Sequence, residues 1–255
     1  MRPLEEVRAE ILAVVLPLPP RSVPLADALG RVLAAPATAT EDVPPFANTA
    51  MDGYALRAHD TTGATPDAAR RLAVLGDLPA GRAPTIPVGP GQSIRIMTGA
   101  PIPDGADAIV MVERTARVGD AAVDVFAEAA PGDHIRAAGG DIKAGGLVFE
   151  PGTVLGPAHI GVLASLGWAE VQVFPQARVG VLSTGDELRE GPGALAPGQI
   201  RDSNRPMLLA LVRECGCEAV NLGTARDDES QVTRVLEGAL ESCDAVVSSG
   251  GVSVG

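Results

Sequence analysis

Lysine is almost missing from this sequence. Lys143 is the single one among 20 basic side chains, and the rest are arginines. No second lysine is therefore left to act as the cation of a nucleotide-binding P-loop. The arginine excess accompanies abundant alanine, glycine and proline, as a GC-rich coding sequence would give, and carries no functional weight. Positive charge is short overall: 20 basic against 32 acidic residues gives a net charge of −12. Surfaces that bind polymeric nucleic acid or anionic membranes rely on many Lys and Arg to neutralise phosphate. Both partners are excluded as a general mode, whereas one small phosphorylated ligand held by backbone N–H groups is not.

Cysteine and histidine are also sparse. Cys215, Cys217 and Cys243 make one Cys-Gly-Cys with no second pair, which is not the spacing of a zinc site or a disulfide framework. Core packing in a reducing cytosol is the plainer expectation. His59, His134 and His159 are not spaced as metal ligands, and no Ser/His/Asp constellation can be placed. The best apolar stretch, Val154 to Trp168, is interrupted by His159 and several glycines and falls short of a membrane span. With no secretory or lipidation signal in Met1-Arg-Pro-Leu-Glu-Glu6, the expected protein is soluble and cytoplasmic.

At 255 residues there is enough chain for more than one domain with its own core. Leu4, Val7, Ile11, Leu12 and Val15 recur at helical spacing behind Pro3, and Pro17 to Pro20 end that helix. Leu25, Leu29, Val32 and Leu33 predict a second short helix closing near Gly30. The prolines of Glu41-Asp-Val-Pro-Pro-Phe46 mark a linker. Short alternating runs, Ser93 to Thr98, Ala108 to Val112 and Val123 to Phe126, then predict a small all-β insertion of hairpins. Met51, Met97 and Met111 are expected as core filler, and Trp168 as packing at a helix end. A helix is predicted from Pro157 to about Gly167. From Gln176 the pattern is strand (Arg178 to Ser183), helix (Asn204 to Glu214, Asn204 as cap), strand (Glu218 to Leu222), helix (Asp228 to Ser242), strand (Ala245 to Ser249). That alternation implies a parallel, doubly wound sheet.

Every strand of such a sheet presents its carboxyl end to one edge, where ligands bind. The loops there are Ser183-Thr-Gly-Asp-Glu187, Gly223-Thr-Ala-Arg-Asp-Asp228 and Ser248 to Gly255. Two carry paired carboxylates and the third is rich in glycine and serine. Hydroxyls and backbone amides can hold phosphate, and carboxylates can hold Mg²⁺ against it. Any one loop could equally be helix capping; three on one edge favour a site. The last loop, Gly250 to Gly255, has no helix after it. A domain rarely ends in its own ligand loop, so the expectation is the front part of a longer protein.

Three further segments read by themselves as ordinary turns: Asn48-Thr-Ala-Met-Asp-Gly-Tyr54, Arg95-Ile-Met-Thr-Gly-Ala-Pro101, and His134 to Asp141. Extended to Asn48–Leu56 and Arg95–Val110, the first two, with Ser183-Thr-Gly-Asp-Glu-Leu188, Gln199-Ile-Arg-Asp-Ser-Asn204, Asn221 to Asp228 and Val247 to Gly255, resemble in order and spacing the signatures of the molybdopterin molybdenumtransferases. This is the MoeA family, related to the E domain of gephyrin. The resemblance implies an α/β multidomain protein. Residues 1–43 and 142–175 would form an N-terminal linker and dimerisation domain, residues 44–141 an inserted β-rich domain, and residues 176–255 a truncated MogA-like molybdopterin-binding domain with an incomplete doubly wound sheet.

It also implies the reaction of molybdate with adenylylated molybdopterin, assisted by Mg²⁺, with release of AMP. Carried over by motif, Asp52, Thr98, Glu187 and Asp227 would be catalytic, and Glu187 and Asp227 would be the tentative Mg²⁺ ligands. Arg136, Asp141, Ser183, Thr184, Gly185, Ser249, Gly250, Gly251 and Ser253 would bind substrate or molybdate. Partners implied are a second copy of the chain, with the site between subunits, and molybdopterin adenylyltransferase upstream. The family continues past Gly255 with the rest of its α/β domain and a small β domain, so this chain by itself is expected to be inactive. A non-catalytic scaffold and an adenylyltransferase are the alternative functions.

Overall fold

In a computed structural model the structure describes residues 2–250. The chain forms two compact units: an α/β unit of Met1–Ala35, Pro151–Gly161 and Trp168–Gly255, and a β unit of Pro36–Glu150 and Val162–Gly167.

The β unit is built on six strands: β1 (Gly53–Leu56), β2 (Arg70–Leu78), β3 (Gln92–Ile96), β4 (Ala108–Met111), β5 (Thr115–Val118) and β6 (Ala122–Val125). Their order is β4-β1-β3-β2-β6-β5. Period-two alternation sends Tyr54, Leu56, Leu72, Ala108, Val110, Val123 and Val125 to one core. Ala55, Leu78, Ile94, Ile96 and Ile109 go to another. With both faces covered, β1 and β4 read as unbroken apolar runs.

Hairpins alone do not describe this sheet. β2 and β3 run parallel, while every other neighbouring pair is antiparallel. The proline-rich connection 79–91 gives the length a parallel return needs without a helix. Gly53, which in sequence suggests a turn, opens β1 because a Cβ there would lie 2.2 Å from the Val110 carbonyl oxygen.

In the α/β unit, β7 (Arg178–Thr184) is central, flanked on both sides by parallel strands β8 (Glu218–Ala225) and β9 (Ala245–Ser249). Central placement explains why Val181 and Leu182 are fully buried. Four α-helices complete the elements used below: α1 (Leu4–Val14), α2 (Pro157–Ser165), α3 (Asn204–Glu214), which joins β7 to β8, and α4 (Glu229–Leu240), which joins β8 to β9. After α2 the chain turns at Gly167, whose φ of 76° suits a residue without a side chain.

Several local expectations change. Residues 25–33 are not a helix: Leu25–Asp27 is one 3₁₀ turn, and Val32–Leu33 is a strand paired with Glu170–Phe174. Leu25 and Leu33 are buried as a helical stripe would require, but Leu29 is 61% exposed. The spacing was helical and the burial was not. The cysteines are free, with Cys215 exposed and Cys217 and Cys243 half-buried. Met97 and Met111 are half-buried and Met51 is exposed, so none of the three fills a core. Helix α1 forms as expected but buries no residue, leaving Leu4, Ile11 and Leu12 exposed.

Two glycines separate close approach from backbone freedom. Gly53→Ala is expected to destabilise the β unit by about 1–3 kcal/mol through overpacking. Gly161→Ala, in α2 with nothing within 4 Å of the new methyl, is expected to be neutral or stabilising by about 0.5–1 kcal/mol. Urea unfolding of both variants checks this; equal midpoints would refute the contact at Gly53.

Candidate active site

In the β unit, three loop segments are joined by main-chain hydrogen bonds. The Thr49 and Gly99 N–H groups donate to the carbonyls of Ala100 (3.1 Å) and Thr49 (2.9 Å), and the Ala50 N–H donates to the His134 carbonyl (2.9 Å). Asn48–Thr49 also pairs with Ile135–Arg136 in antiparallel register. His134 is the one non-glycine residue with positive φ, 57°, among the described residues. That conformation is uncommon for a residue bearing a Cβ.

This framework sets Asp52 against Thr98. One carboxylate oxygen of Asp52 accepts both the backbone N–H and the hydroxyl of Thr98, each at 2.7 Å. The backbone N–H first, then the hydroxyl and the charge of Arg95, hold the Asp52 carboxyl below its ordinary value. Asp52 is therefore ionised at neutral pH, with its second oxygen uncommitted. Arg136 is exposed and lies opposite Asn48 in the same small ladder. Asp141 is held elsewhere, its N–H donating to the Val43 carbonyl at 2.9 Å.

In the α/β unit, the carboxyl ends of the three strands share one edge. Ser183 lies opposite Ser249 and Thr184 opposite Ala225. Gly250 has φ 121°, and a Cβ there would lie 2.3 Å from the Thr184 hydroxyl oxygen, so the chain leaving β9 can press onto β7 only as glycine. At Gly185 a Cβ would lie 2.6 Å from Glu187 Oε2, which places the Glu187 carboxylate over that glycine. Gly251 and Ser253 lie outside the described residues.

The second loop sorts its two aspartates. Asp228 caps α4, accepting from the Gln231 N–H at 2.9 Å and the Ser230 hydroxyl at 2.5 Å. Those bonds, the Ser230 hydroxyl first, lower its pKa. Asp227 is exposed and makes no hydrogen bond or ion pair among the described residues. Asn204, expected as the cap of α3, instead donates to the Ser249 hydroxyl at 2.8 Å, tying the helix start to the end of β9.

Behind this edge lies a group that reading the sequence missed. Arg205 is only 3% exposed. Its Nε donates to Asp202 Oδ2 at 3.0 Å, one terminal nitrogen to Asn221 Oδ1 at 2.5 Å, and the other pairs with Glu190. Asn221 Oδ1 also accepts the Gly223 N–H at 3.0 Å. Burial alone would push the Asp202 carboxyl up. The Arg205 N–H groups and the Arg205 charge outweigh that and lower it. The available signal was a charge on the inward side of α3, since Arg205 and Leu209 at i and i+4 are both buried.

A cavity of about 440 Å³ opens at the same edge, between Gly185, Asp186, Leu188 and Arg189 on one loop and Thr224, Ala225 and Arg226 on the other. That volume lies in the range of small-molecule sites. Among the described residues no group of three or more His, Cys, Asp and Glu is placed to hold a metal ion. No helix among them is long and apolar enough to cross a membrane.

Comparison with known proteins matches two family descriptions along the chain. Residues 2–167 match the MoeA N-terminal region (domain I and II), and residues 180–255 match a probable molybdopterin binding domain. Molybdopterin molybdenumtransferase 2 of Mycobacterium tuberculosis is 45% identical across 100% of this chain and 63% of its own length. Molybdopterin molybdenumtransferase of Staphylococcus aureus is 37% identical across 99% of this chain and 60% of its own length. The chain thus spans less than two thirds of these relatives. A crystal structure of the molybdopterin biosynthesis MoeA protein from Pyrococcus horikoshii OT3 superposes with a TM-score of 0.89 at 37% identity, over 98% of this chain and 67% of that one.

Two outcomes follow from the two charge sites. Thr98→Val should raise the Asp52 pKa toward 3.8 without reaching it, because the larger cause, the Thr98 backbone N–H, remains. Carboxyl NMR titration reads this, and an unchanged value would remove the hydroxyl from the account. Arg205→Met should cost about 3–5 kcal/mol by leaving Asp202 buried and unpaired. Since the folded pKa of Asp202 is lowered, its stabilisation is present above the ordinary value of 3.8 and is lost as pH falls through the lower folded value. Urea midpoints between neutral and acid pH should show that loss in the native protein and a smaller one in Asp202→Asn.

Proposed function

The chain belongs to the MoeA family, and from that premise we propose that the whole protein inserts molybdenum into adenylylated molybdopterin, consuming molybdate and releasing AMP. The observation that carries this reading is the sorting of carboxylates at the sheet edge: Asp228 is used by the fold, while Glu187 and Asp227 project from neighbouring strand-end loops with no structural duty of that kind. Thr184, Gly185, Ser249 and Gly250 supply small side chains, hydroxyls and N–H groups beside them, and Ser183, expected as a binding residue, is buried behind the edge.

Mg²⁺ suits this donor set. It is commonly held by one or two carboxylates together with substrate phosphate oxygens, rather than by a complete protein cage. Glu187 and Asp227 would be its protein ligands, and when bound it would neutralise phosphate charge. Asp52, kept ionised by Thr98, would be a catalytic carboxylate that helps to place molybdate. Arg136 supplies positive charge for the molybdate oxyanion, and Asp141 would help to close the site.

The working form would be a cytoplasmic homodimer with the site between subunits. The exposed Leu4, Ile11 and Leu12 of α1 support an apolar partner surface of this kind. Molybdopterin adenylyltransferase would supply the substrate. The test is AMP release from adenylylated molybdopterin by the full-length gene product, with and without molybdate. Molybdate-dependent release is expected, and Glu187→Gln and Asp227→Asn should each lower it about 100-fold. Absence of release by the unaltered protein would overturn the reading.

A further inference from the structure

Few of the arginines meet carboxylates. Among the described residues, Arg2, Arg71, Arg117, Arg178 and Arg205 form ion pairs. Arg189 and Arg226 form none, yet both line the 440 Å³ cavity at the carboxyl ends of β7 and β8. Arg189 is oriented without being neutralised: its Nη1 donates to the carbonyls of Asp186 at 2.9 Å and Leu188 at 2.6 Å. A guanidinium has five N–H donors, so Nε and the other terminal nitrogen remain available. Arg226 is fixed through its backbone. Its N–H donates to Gln231 Oε1 at 2.9 Å, and its carbonyl accepts from the Asp228 N–H at 2.7 Å. No side-chain hydrogen bond of Arg226 is formed among the described residues.

Both guanidinia thus keep free donors at one cavity, one from each strand-end loop. Asp186 lines the same cavity and Glu187 and Asp227 lie next to lining residues in sequence, so an anion entering there meets repulsion that these guanidinia help to offset. Guanidinium forks match phosphate oxygens two at a time.

We propose that Arg189 and Arg226, one from each strand-end loop, clamp the phosphate linkage of the nucleotide-bearing ligand across this cavity. They are thus binding residues that set specificity for a phosphate-bridged ligand. The assignment rests on the reading of the edge as the ligand site and adds two residues to it.

Inorganic pyrophosphate is the probe, titrated calorimetrically into the chain as it stands. Arg189→Gln and Arg226→Gln should each weaken binding about tenfold, as loss of a charge-assisted hydrogen bond does. The double variant should weaken it further, and Arg226→Lys should fall between. Arg82→Gln, in the β unit, should bind as the native chain does. Both arginines are exposed, so melting curves should not move. Absence of pyrophosphate binding by the native chain, or equal binding by all variants, would overturn the clamp. AMP release by the same variants in the full-length protein separates this from the enzyme reading. Weakened pyrophosphate binding without any native turnover would support the clamp and sink the enzyme; native turnover with unchanged KM in the variants would sink the clamp alone.

Discussion

A guanidinium held out of water is tolerable only while every direction it faces offers an acceptor. Arg205 meets that condition by drawing on three stretches of sequence: Asp202 just before α3, Glu190 beyond β7, and Asn221 within β8. The consequence runs outward. Asn221 passes the constraint to the Gly223 N–H, among the last residues of β8 before the loop that carries Asp227. Glu190 fixes the far side of the loop that carries Glu187. The loops of the candidate site are thus anchored by a charge that itself never reaches the edge.

The β unit reaches comparable definition without a buried charge. Its loops are joined by main-chain pairing around Thr49, Gly99, Ala100 and His134. One of its tight steric demands falls at Gly53, directly after Asp52. A residue larger than glycine would push β1 away from β4 and move Asp52 relative to Thr98. Placement of the carboxylate is therefore a by-product of how closely two strands approach.

The α/β elements were legible because each apolar run is closed by local chemistry: Pro206 in the first turn of α3, Asp228 before α4, and short strands between. The parallel pairing of β2 with β3 was not, since a strand's partner depends on where a long connection returns it and leaves no local mark. The 25–33 segment misled for a related reason. Helical spacing there coincided with burial at Leu25 and Leu33 but not at Leu29, and spacing alone does not record which residues face a core. Asp52, Thr98, Glu187 and Asp227 came from motif resemblance rather than from physics. Read one at a time, an Asp-Gly or a Thr-Gly is an ordinary turn.

Arg205 and the two aspartates of the β8 loop show what a sequence leaves undecided. Polar residues near a strand end serve the fold first. A helix start asks for one acceptor at one position, and Asp228 fills it, reaching the Gln231 N–H. A carboxylate one residue earlier has no matching donor, because the following helix presents its free N–H groups to the cap and not to its predecessor. Asn204, in turn, is taken from capping by Ser249. Which groups remain for chemistry is decided by subtraction, after caps, buried ions and strand ends have been satisfied. That subtraction can be carried out only where the acceptors and donors have places in space.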